Sequence, residues 1–134
     1  MKKDHIALTV PAMGEYAKTV RMTAAGLAST IGMTYDEVDD VRMAAEEAFV
    51  FACDCQDESS TITFAFALTD ESLAVEVGPL PGCDGGRQTL AASEGYAEFI
   101  LKSVCDEFSL NRTAEGTVIR VVHYVAGNRE DSGA

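Results

Sequence analysis

The sequence predicts an α+β fold, a two-layer sandwich in which a mixed or antiparallel sheet is covered on one face by about three helices. Apolar residues alternate with polar ones in several short runs and recur every three or four residues in longer runs. These runs follow the order strand, two helices, hairpin, loop, helix, hairpin. With 134 residues, 47% of them hydrophobic, the chain fits one domain over residues 1–126, followed by a polar, flexible tail at 127–134.

The first elements are an edge strand and an amphipathic helix. Residues 5–10 alternate and stop at Pro11, which is typical of a strand at or near a sheet edge. Residues 13–31 show apolar positions at spacings of three and four, and Gly32 is placed to end that helix.

A capping box starts the second helix. Thr34 and Glu37 stand three residues apart, so that the Thr hydroxyl and the Glu carboxylate can each accept a hydrogen bond from a backbone N–H group of the other residue. Small residues dominate the expected buried face of this helix, which should therefore lie close to its neighbours. That face consists of Val38, Val41, Ala45, Ala48 and Ala52.

The second half of the chain contains two hairpins and one helix. Residues 61–68 and 73–77 alternate around a turn at 69–72, and the Gly- and Pro-rich segment 78–86 predicts a mobile loop. A helix should then run from about residue 93 to 107. Strands are expected at 108–112 and 117–125, joined by a turn at 113–116.

Charge and composition exclude several classes of function. A net charge of −12 argues against direct DNA or RNA binding, which needs clustered Lys and Arg. The acidic surface favours a basic protein partner or simply keeps the domain in solution. The apolar run 6–10 is too short for a signal peptide or membrane span, so we expect a cytoplasmic protein with no membrane contact.

The cysteines are expected to be free thiols and not metal ligands. In a reducing compartment the default for Cys53, Cys55, Cys83 and Cys105 is a packed, reduced side chain. The Cys53–Cys55 spacing lacks the second matched pair that a zinc site requires, so no metal site is predicted.

Several stretches resemble the anti-sigma-factor serine kinases that control stress and sporulation sigma factors. These stretches are 10–12 (VPA), 32–41 (GMTYDEVDDV), 45–48 (AEEA), 100–108 (ILKSVCDEF) and 116–119 (GTVI). The resemblance covers nearly the whole chain. It implies the Bergerat nucleotide-binding fold that these kinases share with histidine kinases, gyrase and Hsp90.

The resemblance places a catalytic box on the second helix. In the family this box is E-x-x-x-N, whose Glu activates the attacking hydroxyl and whose Asn oxygen holds Mg²⁺. Glu47 matches the Glu, and Phe51 replaces the Asn. Because a phenyl ring offers Mg²⁺ no oxygen ligand, Glu47 is read as a vestigial general base or as an ordinary solvated helix carboxylate.

The other nucleotide-binding boxes are altered or unspecific. An adenine-binding Asp is missing near Gly78. A family G-x-G aligns with Gly95 and Ala97, so that only the first glycine is retained. Gly116 and Thr117 match the last box, although a Gly-Thr pair is also an ordinary exit from a hairpin turn.

The resemblance also implies a protein-binding surface. The first helix and the residues before it contact sigma factors and antagonist proteins in these kinases, which puts forward Glu15, Tyr16 and Arg21. Tyr16 lies on the apolar stripe, so core packing is the competing interpretation. An exposed Arg21 is otherwise simply solvated.

The leading functional hypothesis is a regulator that keeps the kinase fold, lacks kinase activity and binds a sigma factor or an anti-anti-sigma-type domain. It needs no cofactor. One alternative is an active serine/threonine kinase that binds ATP and Mg²⁺ through rearranged ligands. Another is a pocket near Phe51 that binds a different small molecule. Analogy with the family is the only ground for a homodimer, because the sequence shows no self-complementary patch.

Overall fold

The computed structural model describes residues 3–83 and 88–126, and for residues 88–94 it describes the backbone. The elements, in chain order, are β1 (Asp4–Pro11), a 3₁₀ helix (Gly14–Tyr16), α1 (Ala17–Thr30), α2 (Tyr35–Cys55), β2 (Thr61–Leu68), β3 (Ser72–Leu80), α3 (Gln88–Val104), β4 (Glu107–Thr113) and β5 (Gly116–Tyr124).

The strands form one antiparallel sheet. Its order is β1-β2-β3-β5-β4, and every neighbouring pair is antiparallel, so the sheet is not mixed. The predicted edge position of β1 is confirmed. In the β2–β3 hairpin, Phe64 pairs with Val77 and Phe66 pairs with Val75, which places large side chains on one face of neighbouring strands.

The core lies between this sheet and the helices. Alternate residues of β2 are buried, as the period of two predicts, and α2 packs between α1 and α3 while also contacting β3 and β5. The small residues of α2 allow this central position because they let neighbouring backbones approach. The buried side chains of α2 are Glu37, Val41, Ala44, Ala45, Ala48, Phe49, Phe51, Ala52 and Cys55. Among the helices that the structure describes, none is long and apolar enough to cross a membrane.

Two element boundaries differ from the sequence expectation near the nucleotide boxes. The expected loop 78–86 begins later, because β3 continues to Leu80 across a cis Gly78–Pro79 bond and a register shift against β5. Helix α3 begins at Gln88, earlier than predicted, and ends at Val104. Glycine and proline usually interrupt strands, so the sequence indicated a loop after Val77. The pairing with β5 is interrupted there but resumes at Leu80, opposite Thr117.

The beginning of the first helix is also corrected. Residues 14–16 form a 3₁₀ turn, and the α-helix starts at Ala17. Gly32 has φ of +79°, as expected of a residue that ends a helix. The rest of the expected loop, 84–87, and the expected tail, 127–134, lie outside the described residues.

The prediction of four free thiols is wrong for one pair. Cys55 and Cys83 form a disulfide whose Cα atoms are 5.2 Å apart, whereas Cys53 and Cys105 are free. The pairing could not be read from sequence spacing because 28 positions separate the two cysteines, and only the fold brings the end of α2 beside the end of β3.

Candidate functional site

The start of α2 is fixed by the predicted capping box, which is confirmed. The Thr34 N–H donates to Oε1 of Glu37 at 2.8 Å, and the Glu37 N–H donates to Oγ1 of Thr34 at 3.2 Å. From this fixed end the helix runs without interruption to Cys55, so Glu47 and Phe51 lie one turn apart as the sequence register requires.

Glu47 is half-buried and lies in an acidic environment. The pKa of its carboxyl is raised above the ordinary value of 4.5, chiefly by burial and then by the negative charges of Glu46 and Asp54. A raised pKa is compatible with a general base, yet it also follows from the crowding of three carboxylates on the last turns of one helix.

Phe51 belongs to the hydrophobic core. Its side chain is 2% exposed and is part of the main cluster of buried residues. The predicted replacement of an Mg²⁺-binding amide therefore has a structural reason, since the phenyl ring fills the interior between helix and sheet. Cys55 lies one turn further on, and its sulfur contacts the carbonyl oxygen of Phe51 at 3.5 Å.

Gly78 and Gly116 allow β3 and β5 to meet closely beside this helix. Gly78 has φ of +125°, and a Cβ there would lie 2.7 Å from the carbonyl oxygen of Thr117. Gly116 has φ of +130°, and its Cβ would lie 2.5 Å from the carbonyl carbon of Leu80. Both glycines are thus required by the chain's own packing, before any ligand is considered.

Thr117 uses its hydroxyl within the protein. The side chain is 1% exposed, and Oγ1 donates to the carbonyl oxygen of Cys83. Arg112, opposite Thr117 on β4, donates from Nη1 to the same Thr117 Oγ1 at 2.7 Å and to the Cys83 carbonyl at 3.2 Å. The Gly-Thr pair that matched the last box is consequently part of an internal polar cluster.

The segment 78–83 is held against the end of α2. The Gly82 N–H donates to Oε1 of Gln56 at 2.6 Å, and a Cβ on Gly82 would lie only 2.0 Å from the carbonyl oxygen of Cys55. The Cys55–Cys83 disulfide joins the same two regions covalently. We call residues 78–83 the cover segment. They lead from the last residues of β3 to the end of α2, and the Cys83 carbonyl oxygen accepts a hydrogen bond from Thr117.

The two positions that align with the family G-x-G box, Gly95 and Ala97, differ in exposure. Gly95 is exposed on α3, and a Cβ there would meet no atom within 4 Å. Ala97 is 4% exposed and belongs to the core cluster. The methyl group that the sequence adds at Ala97 is therefore used in packing.

The three expected partner-binding residues take different positions. Glu15 is exposed. Tyr16 is half-buried and packs against the core, which agrees with the alternative interpretation of Tyr16 as a packing residue. Arg21 is not merely solvated, because Nη1 lies 2.5 Å from Oε1 of Glu46 and ties α1 to α2. The role of each in binding stays a prediction.

Sequence reasoning missed Arg112 and Gln56. The signal for Arg112 was present, since a turn at 113–116 places residue 112 opposite Thr117. Gln56 had no comparable signal, because its contact with Gly82 joins residues far apart in the chain and depends on the path of the cover segment.

Comparisons with known proteins agree with this architecture. A sequence profile of the histidine kinase-like ATPase domain matches residues 10–123. Serine-protein kinase RsbW of Bacillus subtilis is 27% identical in an alignment that covers 96% of this chain and 90% of that protein. Serine-protein kinase RsbW of Halalkalibacterium halodurans is 33% identical over 69% of this chain and 59% of that protein.

A solved structure shares the fold. The crystal structure of the RsbU and RsbW domains of Rv1364c from Mycobacterium tuberculosis matches 90% of this chain with a TM-score of 0.69 and 21% identity. The match covers 32% of that longer chain. The Bergerat-type architecture and the resemblance to anti-sigma-factor serine kinases are thereby confirmed, and the chain belongs to the histidine kinase-like ATPase domain family.

Proposed function

We propose that this protein is a regulator of the anti-sigma kinase type that binds a protein partner and has lost ATP-dependent kinase activity. The observation that carries the proposal is Phe51, an aromatic side chain buried in the core at the position where the family needs an Mg²⁺-binding oxygen. The protein relatives supply the kinase part of the proposal, since their name describes kinases that act on protein serines.

The residues at this site do not fit Mg-ATP. Mg²⁺ requires nearly octahedral oxygen ligands, and Phe51 can supply none. Around this position the described part of the chain, residues 3–83 and 88–126, offers no group of three or more His, Cys, Asp or Glu side chains suited to a metal. The pKa of Glu47 is raised first by burial and then by the negative charges of Glu46 and Asp54. These same charges would repel a triphosphate.

The contacts of Thr117 and the backbone at Gly78 support the same proposal. Thr117 donates its hydroxyl proton to the Cys83 carbonyl and accepts from Arg112, so it has no proton left to donate to a phosphate oxygen. An Asp at Gly78 would need a backbone with φ of +125° and a Cβ 2.7 Å from a carbonyl oxygen, which a side chain cannot adopt without displacing β5.

Partner binding accounts for what the chain retains. We propose a sigma factor or an anti-anti-sigma-type domain as the partner, contacted through Glu15, Tyr16 and Arg21 at the start of α1, in the cytoplasm. The net charge of −12 for the whole chain favours a partner that is basic overall. The Arg21–Glu46 ion pair would hold the α1–α2 surface in one arrangement before the partner docks.

An active kinase remains the second candidate, because Glu47 is retained and the direction of its pKa shift suits a base that acts near neutral pH. This candidate needs other Mg²⁺ ligands than Phe51. A pocket for a different small molecule has less support, since a Phe51 side chain that is 2% exposed offers almost no surface to a ligand.

The test combines binding with phosphoryl transfer. Sigma factors and anti-anti-sigma domains from the same genome are titrated into the protein by calorimetry, with and without Mg-ATP, and the mixtures are assayed for transfer of labelled γ-phosphate. We expect one of them to bind without nucleotide, with an affinity that Mg-ATP leaves unchanged, and no labelled protein. Labelled serine on a partner would establish the kinase instead.

A matched pair of variants locates the surface. Glu15→Ala is expected to weaken the complex by roughly fivefold or more, as loss of an interfacial charge pair does. Glu58→Ala removes an equally exposed carboxylate beyond the end of α2 and should leave the affinity unchanged. Equal effects of the two variants would show that general charge, and not the α1 surface, attracts the partner.

A further inference from the structure

We propose that Cys55 and Cys83 form a reversible dithiol–disulfide switch that holds residues 81–83 of the cover segment against the end of α2, one turn from Phe51, when oxidised and releases them when reduced. The consequence for the site rests on the proposed function, whereas the switch itself depends only on the two cysteines and the contacts around them.

The geometry allows Cys55 and Cys83 to bond, and because both side chains are buried, a reductant reaches the sulfurs only when residues 81–83 open. The two Cα atoms are 5.2 Å apart, which is within the normal range for a disulfide without movement of the backbone. Cys55 is the last residue of α2, and Cys83 lies just beyond β3. The bond therefore joins the ends of two elements and not the middle of either, so its cleavage leaves the helix and the strand intact.

Few other contacts hold the cover segment to the helix. Across this junction the described contacts are the hydrogen bond from Gly82 to Gln56 and the close backbone approach of Gly82 to Cys55. On the sheet side, Thr117 and Arg112 both donate to the Cys83 carbonyl. Leu80 is fully buried and pairs with Thr117, so residues 78–80 stay anchored in the sheet. Loss of the covalent link leaves residues 81–83 held by these hydrogen bonds, each of which contributes only modestly, and by the buried Cys83 side chain.

The remaining cysteines are poorly suited to interfere. Burial and the adjacent Asp54 raise the pKa of Cys53, and burial together with Asp106 raises the pKa of Cys105 to about 11. Both are therefore mostly protonated at neutral pH, and the thiol form is a weak nucleophile. Exchange should stay confined to the Cys55–Cys83 pair.

The reaction is a two-electron thiol–disulfide exchange with a dithiol reductant of the thioredoxin class or with dithiothreitol. A reductant thiolate attacks one sulfur, the Cys55–Cys83 bond breaks, and the departing thiolate takes up a proton. The second reductant thiol then displaces the first cysteine from the mixed disulfide. The products are two protein thiols and an oxidised reductant. Closure is the reverse exchange with a small-molecule or protein disulfide, which is reduced to two thiols as the Cys55–Cys83 bond forms.

The switch is tested by counting thiols and measuring amide exchange on the same full-length samples. Oxidised and dithiothreitol-reduced protein are each quenched in denaturant with a maleimide. We expect two labels before reduction and four after it, since the chain has four cysteines. Hydrogen exchange at the Gly82 and Cys83 amides should accelerate at least tenfold on reduction, while exchange in β2 stays unchanged.

Variants separate the switch from a general effect of reductant. Cys83→Ser should show fast exchange at Gly82 with or without dithiothreitol, whereas Cys53→Ser should respond as the unaltered protein does. Four labels under oxidising conditions, or equal exchange in both states, would overturn the proposal. Accelerated exchange throughout the sheet would also overturn it, because the bond would then be a structural staple.

These readouts require neither nucleotide nor partner, so they separate the switch from the proposed function. Nucleotide binding by the reduced protein would contradict the loss of ATP binding and leave the switch standing. Failure of the cover segment to respond would remove the switch and leave the partner-binding proposal intact.

Discussion

Phe51 connects the stability of this protein to its chemistry. The side chain fills the core at a helix position one turn after Glu47, so the residue that we propose replaces an Mg²⁺ ligand also supplies buried apolar surface. Burying a phenyl ring of this kind is worth about 2–3 kcal/mol. A reversion toward the family sequence is therefore opposed by packing as well as by the missing ligands.

We expect Phe51→Asn to lower the free energy of unfolding by about 3–5 kcal/mol, because it leaves a cavity and buries an amide. Phe51→Leu keeps the apolar character and should cost clearly less. Urea unfolding of both variants measures the difference. A stable Phe51→Asn protein that binds Mg-ATP would show that the phenyl ring is a simple plug in a competent site.

The raised pKa of Glu47 predicts how the stability of the fold changes with pH. Its folded-state pKa is raised above the ordinary 4.5, so the folded state binds more protons than the unfolded state as pH rises from 4.5 through the folded value. Stability therefore falls with rising pH across this window. Glu47→Gln removes the unfavourable charge and should raise stability at pH 7 by a few tenths of a kcal/mol, after allowance for solvent screening.

Glu46→Gln is the matched control for that measurement. Like Glu47→Gln, this variant removes a single carboxylate from the helix. Unlike Glu47→Gln, it breaks the ion pair with Arg21 that ties α2 to α1. We expect it to gain less than Glu47→Gln or to lose stability at pH 7. Thermal unfolding between pH 4 and 8 compares the two variants. Identical pH profiles would mean that neither local environment matters.

Single residues were the least predictable level from the sequence. The alignment of boxes located Glu47, Phe51 and Thr117, but it could not tell that Thr117 is 1% exposed and bonded to the Cys83 carbonyl. That contact depends on where residue 83 is carried by the fold. For Tyr16 the helical spacing indicated core packing as the alternative to partner binding, and the side chain does pack against the core.

At the scale of elements, the junction of β3 and β5 decides how the site is built. Gly78 and Gly116 bring the strands together, and Leu80 pairs with Thr117 after the register shift. The sequence indicated a loop here because glycine and proline usually interrupt strands. Pairing across the irregularity is a tertiary effect that a local pattern does not contain.

Two glycines from the family boxes should respond to alanine in opposite directions. Gly116→Ala places a Cβ 2.5 Å from Leu80 at φ of +130° and should destabilise the fold by about 1–3 kcal/mol. Gly95→Ala adds a methyl in open space on α3 and should stabilise it by about 0.5–1 kcal/mol. Chemical denaturation measures both, and a loss of stability in Gly95→Ala would contradict its exposed position.

At the scale of the whole molecule, the fold could be predicted because periodicity and element order agreed. The alternation in β2, the helical spacing of α1 and the capping box of α2 each specified one element, and the antiparallel sheet follows from two hairpins and an edge strand. The disulfide could not be predicted, since the contact of Cys55 with Cys83 exists only after the sheet and helices have packed.

We propose that this protein retains a nucleotide-binding fold without binding nucleotide. Thermal unfolding with and without millimolar Mg-ATP or Mg-ADP, on oxidised and reduced protein, tests it most directly. A ligand at a hundred times its dissociation constant adds about 2.7 kcal/mol, which is several degrees for a domain of this size. We predict no shift in the unfolding temperature in either redox state. A shift of several degrees that requires Mg²⁺ would contradict the account.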